Sequence, residues 1–184
     1  MAQLIVRQRV AIAGTVTNAD TDEGMPQVLV RITQAPLVFI GELMATLETE
    51  IEQHPELKTS YGHLFDGRPI TPDTLKTAQI LLDAFERNRW LSTPRTDQIV
   101  TGGDGHYCFF DLASGLYRLT ATYLVPNRCY GSTQGQVLVE RSSLRLAFSE
   151  LDLSMSLVPS PLAIPAQMPA AMLDDLSVAL ISPN

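Results

Sequence analysis

Thr101-Gly-Gly-Asp-Gly-His-Tyr-Cys-Phe-Phe-Asp-Leu-Ala-Ser-Gly-Leu-Tyr-Arg-Leu-Thr-Ala-Thr-Tyr123 says more about this chain than any other stretch. A Gly/Asp turn leads into a short aromatic strand, and a second turn at Gly115 leads into a strand of strict alternation. There Tyr117, Leu119, Ala121 and Tyr123 share one face, with Arg118, Thr120 and Thr122 on the other. Period-two alternation between glycine-bearing turns is the signature of a half-buried strand in an antiparallel sheet. In the aromatic strand the same parity sends Tyr107 and Phe109 inward and leaves Cys108 and Phe110 outward.

The pattern extends in both directions. Residues 10–17 alternate Val10, Ile12, Gly14 and Val16 against Ala11, Ala13, Thr15 and Thr17, and residues 28–33 place Val28, Val30 and Ile32 inward. Between these strands lies an acidic, turn-rich loop at 18–26. The period then changes. Over 38–53, Ile40, Leu43, Met44, Leu47 and Ile51 recur at helical spacing, with Glu42, Glu48, Glu50 and Glu52 on the remaining surface. Pro55 stops that helix, and a polar stretch with an Asp66-Gly67 turn follows. Thr71-Pro72-Asp73 starts a second helix: an N-cap, proline at the first helical position and a first-turn carboxylate. Leu75, Ala78, Leu82 and Phe85 form its stripe, Leu81 widens it, and it runs to about Trp90. Strand pattern resumes at 97–101, passes 135–140 and closes in 144–157, where Leu151, Leu153, Met155 and Leu157 alternate with Asp152, Ser154 and Ser156.

The expectation is a mainly β fold: a seven-stranded antiparallel Greek-key β-sandwich over 1–158, with a two-helix hairpin inserted at 38–94. Pro159, Pro161, Pro165 and Pro169 then rule out continuous helix or central strand, so 159–184 reads as a proline-spaced apolar tail.

Two stretches resemble the transthyretin-like, carboxypeptidase-regulatory-like β-sandwich superfamily. Its initial apolar-x-Gly-x-Val strand is matched by Ile12-Ala-Gly14-Thr-Val16. Its D-G-x-Y/F-x-F-x-x-L-x-x-G-x-Y-x-L segment is matched at Asp104, Gly105, Tyr107, Phe109, Leu112, Gly115, Tyr117 and Leu119. The resemblance covers about 8–37 and 95–158; the helical insertion and the tail depart from it. It implies the sandwich and is nearly mute on activity, since members serve as accessory domains, carriers, adhesion stalks and particle components. Related sandwiches decorate phage tails and contractile injection particles.

Composition narrows the function classes. A length of 184 residues is ample for one core. The net charge of −7, with no basic stripe, argues against a nucleic-acid partner. Charged residues make up 18% against 45% hydrophobic ones, which leaves apolar surface that a partner would hide. The apolar run Leu4-Ile5-Val6 is too short for a secretory signal or a membrane span, so the expected location is cytoplasmic. Cys108 and Cys129 fit a reducing compartment as free thiols.

Catalytic chemistry finds no motif. His54 and His63 fall in the inter-helix loop and His106 in a turn, without the paired spacing of a metal site. Asp20, Asp22 and Glu23 ahead of Gly24 read as an acidic turn, since calcium takes about six to eight oxygens from a loop of defined spacing. Asp104 reads as a turn former. Ser114 lacks the Gly-x-Ser-x-Gly elbow, and Gly102-Gly103-Asp104-Gly105 enters a strand, so it is neither a phosphate loop nor a dinucleotide fingerprint. Aromatic neighbours give Cys108 no reason for a lowered pKa. The expectation is a non-enzyme that needs no cofactor or metal.

What remains is surface for other protein subunits. Phe110 faces outward beside Ala11 and Ala13, a face the helical hairpin is expected to cover. The tail carries Leu162, Ile164, Met168, Met172, Leu173, Leu176, Leu180 and Ile181, more apolar side chains than a solvated tail holds, so it is expected to dock on a neighbour. A competing expectation is a glycan- or small-ligand-binding module using the aromatics Trp90, Tyr123 and Tyr130.

Overall fold

The structure, a computed structural model, describes residues 9–62, 65, 69–125, 129–140 and 146–159. The elements are β1 (Arg9–Asn18), β2 (Leu29–Gln34), α1 (Leu37–Gln53), α2 (Pro55–Tyr61), α3 (Pro72–Arg87), β3 (Gln98–Val100), β4 (His106–Phe109), β5 (Gly115–Val125), β6 (Cys129–Val139), β7 (Leu146–Glu150), β8 (Leu153–Met155) and β9 (Val158–Pro159). The strands form two sheets. One has the order β4-β1-β7 with β8 continuing along β1; the other has the order β3-β2-β5-β6-β9.

The inward residues follow the alternation. Ile12, Val16, Tyr107, Phe109, Leu153 and Met155 of the first sheet share one buried core with Val30, Ile32, Tyr117, Leu119, Ala121 and Val139 of the second and with Val28 just before β2. Close approach between the sheets is set at β6, where a Cβ on Gly131 would lie 2.7 Å from the Met155 sulfur and one on Gly135 would lie 2.8 Å from Leu153.

Strand direction differs from the expectation. The second sheet is antiparallel throughout. In the first, β4 runs antiparallel to β1, but β7 and β8 run parallel to it, so that sheet is mixed. Alternation reports which face a side chain takes and not which way the neighbouring strand runs. The last strand is also broken. β7 ends at Glu150 and β8 begins at Leu153, and between them Leu151 N donates to Ala13 O at 3.0 Å while Thr15 N donates to the Asp152 carboxylate at 2.7 Å. A side chain takes over one rung of the ladder there.

Among the described residues the insertion holds three helices where two were expected. Pro55 ends α1 and then occupies the first turn of α2, because a helix's first N–H groups have no intrahelical acceptor and proline lacks only what would go unused. At the start of α3 the Thr74 hydroxyl accepts from Thr71 N at 3.0 Å. The predicted stripes are buried at Ile40, Leu43, Leu47 and Ile51 on α1, with Met44 half-buried, and at Leu75, Ala78, Leu81, Leu82 and Phe85 on α3. Phe39 meets Tyr117 edge-on at 5.8 Å, joining the first turn of α1 to the core.

Glu50 corrects a second expectation, for it is 1% exposed and not on the helix surface. Its carboxylate accepts from the Ser92 and Thr93 backbone N–H groups at 3.1 and 3.2 Å and from both hydroxyls. Burial pushes its pKa up, but these hydrogen bonds outweigh burial and hold it below the ordinary value of 4.5. A carboxyl with a depressed folded-state pKa contributes stability that is present above the unfolded pKa and lost as pH falls through the folded one. Between about pH 5 and pH 3 the wild-type chain should therefore lose more stability than Glu50→Gln, as read by urea midpoints across that range. Parallel midpoints for the two proteins would refute the assignment.

Candidate functional site

The outer face of the first sheet carries the candidate surface. Phe110 lies one residue past the Ile12–Phe109 pair, and Phe148 is in register with Ala11 on the opposite side of β1. Both rings face out, 54% and 58% exposed. Between them the surface is floored by small side chains, fully covered Ala11 and half-buried Ala13, with half-buried Cys108 beside Ala13 in register. Among the described residues the helices pack elsewhere: α1 packs on α3, and α3 packs on β2 of the other sheet. That corrects the expectation that the hairpin would shield it, and it leaves Phe110 available to a partner. Phe148 belongs to the same surface and was missed. The parity that sends Leu151, Leu153 and Met155 inward sends Phe148 out, and that signal was present in the sequence.

Leu162, Ile164, Met168, Met172, Leu173, Leu176, Leu180 and Ile181 lie outside the described residues, as do His63 and the Asp66-Gly67 turn. The chain reaches Pro159 in β9, which pairs with the start of β6. A second apolar row sits there, with Leu124, Tyr130 and Val158 in register and 68%, 45% and 47% exposed.

The aromatics proposed for a glycan platform do not converge. Tyr123 pairs with Gly131 and Leu124 with Tyr130, so Tyr123 and Tyr130 occupy opposite faces of their sheet. Trp90 packs edge-on against Phe85 at 5.8 Å, within the helical layer.

The titratable groups fall into structural roles. His106 Nδ1 lies 2.8 Å from the Thr15 hydroxyl, and Asp104 accepts from the His106 backbone N–H at 3.2 Å. That bond holds the exposed Asp104 carboxyl below the usual carboxylate range, as a turn former requires. His54 precedes α2 with Nδ1 3.6 Å from Glu56. Both cysteines are free, and burial pushes the Cys108 thiol up, away from reactivity. Among the described residues, no three His, Cys, Asp or Glu side chains converge as a metal site would need. None of the described helices is long and apolar enough to cross a membrane.

The densest polar cluster joins the helices to the second sheet. Arg95, with 5% of its side chain exposed, forks onto fully buried Asp97 at 2.9 and 2.8 Å and also reaches Asp83 and Glu86 of α3. Arg31 of β2 grips Asp83 from the other side at 2.9 and 3.2 Å. Gln79 of α3 donates to Ile32 O at 2.7 Å and to Asp97 at 3.1 Å. Every charge in it has a partner, so its work is to fasten α3 to β2 and β3.

No known family model matches the chain, and no curated protein does. Among solved structures it is similar to the dioxygenase domain of a dioxygenase carbohydrate-binding protein fusion from Streptomyces sp. SirexAA-E, at 12% identity over 80% of this chain and 79% of that one, with a TM-score of 0.36. It is similar also to 3-chlorocatechol 1,2-dioxygenase from Rhodococcus opacus 1CP, at 9% identity over 83% of this chain and 61% of that one, with a TM-score of 0.35. At those scores the likeness carries no argument about fold or chemistry.

Proposed function

We propose that this chain is a non-catalytic structural component of a larger protein assembly, built on a transthyretin-like β-sandwich, and that a phage-tail-like contractile injection particle is the assembly. One observation carries the reading: two phenylalanines stand exposed on either side of an alanine-floored strand, on a sheet face away from the described helices. Contiguous exposed apolar surface of this kind marks interaction sites in soluble proteins. The resemblance of the strand motifs to sandwiches that decorate such particles supplies the choice of assembly.

Purification of the tagged chain from its native host should bring other subunits with it in fixed ratio. Phe110→Asp combined with Phe148→Asp should abolish that association, at least tenfold in the amount recovered, while the circular dichroism spectrum stays unchanged. A wild-type chain that emerges alone, or a double variant that keeps every partner, would sink the reading.

A further inference from the structure

We draw no further inference here: the strongest candidate, the exposed apolar row of Leu124, Tyr130 and Val158 where β9 pairs with the start of β6, borders 126–128 and 160–184, which lie outside the described residues, so nothing in the structure shows what covers it.

Discussion

Arg95→Ala is expected to destabilise the protein by about 3–5 kcal/mol, the effect of removing one partner from a buried ion pair and leaving the other uncompensated. Asp97 is fully buried, and apart from Arg95 its side chain is bonded, among the described residues, to Gln79 alone. Without the guanidinium, a carboxylate with no solvent access keeps a neutral amide donor and nothing else. Asp83 and Glu86 would lose their shared cation at the same time, although Arg31 would still hold Asp83. Arg95→Lys should recover only part of the loss, because an ammonium cannot make the two parallel bonds to Asp97 while also reaching α3.

The network's position gives this prediction a second readout. Trp90 is the chain's single tryptophan and stacks edge-on against Phe85 of α3. Indole fluorescence therefore follows the helical layer, while the strand signal in circular dichroism follows the sheets. In the wild-type chain the two urea transitions should coincide. In Arg95→Ala the fluorescence transition should come first, because the fastening between α3 and β2 is what has been cut. A loss below about 1 kcal/mol with coincident transitions would mean that apolar packing of α1 and α3 holds the layer without the charges.

What was legible in the sequence and what was not divide along a physical line. Alternation and helical period depend only on which side of an element meets the core, so Tyr117, Leu119, Val30, Ile32, Leu47 and Leu82 were all placed correctly. Strand direction depends on which element the chain returns to, and nothing in residues 144–157 distinguishes a parallel from an antiparallel neighbour. Convergence of distant segments was equally hidden. Glu50 looks like any other glutamate on an amphipathic helix until Ser92 and Thr93 arrive 42 and 43 residues later to bind it. Arg31, Asp83, Arg95 and Asp97 lie on three separated stretches, and each alone reads as a solvated charge. The candidate surface was half legible: Phe110 followed from the parity of one strand, but that β7 lies beside β1, bringing Phe148 level with Ala11, is a fact of pairing.

Gly14→Ala should cost about 3–5 kcal/mol, as overpacking of the backbone and the loss of a buried hydrogen bond together suggest. A Cβ on Gly14 would lie 1.9 Å from the Leu151 carbonyl oxygen and 2.6 Å from its carbon. The obstacle is backbone, with no flexible side chain to swing aside. Leu151 is the residue at which the last strand breaks between β7 and β8, and the break is held by three bonds: Leu151 N to Ala13 O, Thr15 N to the Asp152 carboxylate, and the Tyr107 hydroxyl to Leu151 O at 2.5 Å. Moving Leu151 far enough to admit a methyl group breaks the last and strains the other two. The Tyr107 hydroxyl would then be buried without its acceptor. Tyr107→Phe, which removes only that hydroxyl, should cost about 1–2 kcal/mol in the wild-type background. In the Gly14→Ala background it should cost close to nothing, because the bond it removes is already gone; such non-additivity is the mark of a shared contact. Gly103→Ala, with nothing within 4 Å of its added methyl group, should stay within about 0.5 kcal/mol of wild type. Additive losses at Gly14 and Tyr107 would show that the methyl group acts somewhere other than the Leu151 carbonyl. The glycine of the apolar-x-Gly-x-Val strand would then owe its place to a cause other than the close approach of the broken strand beside β1.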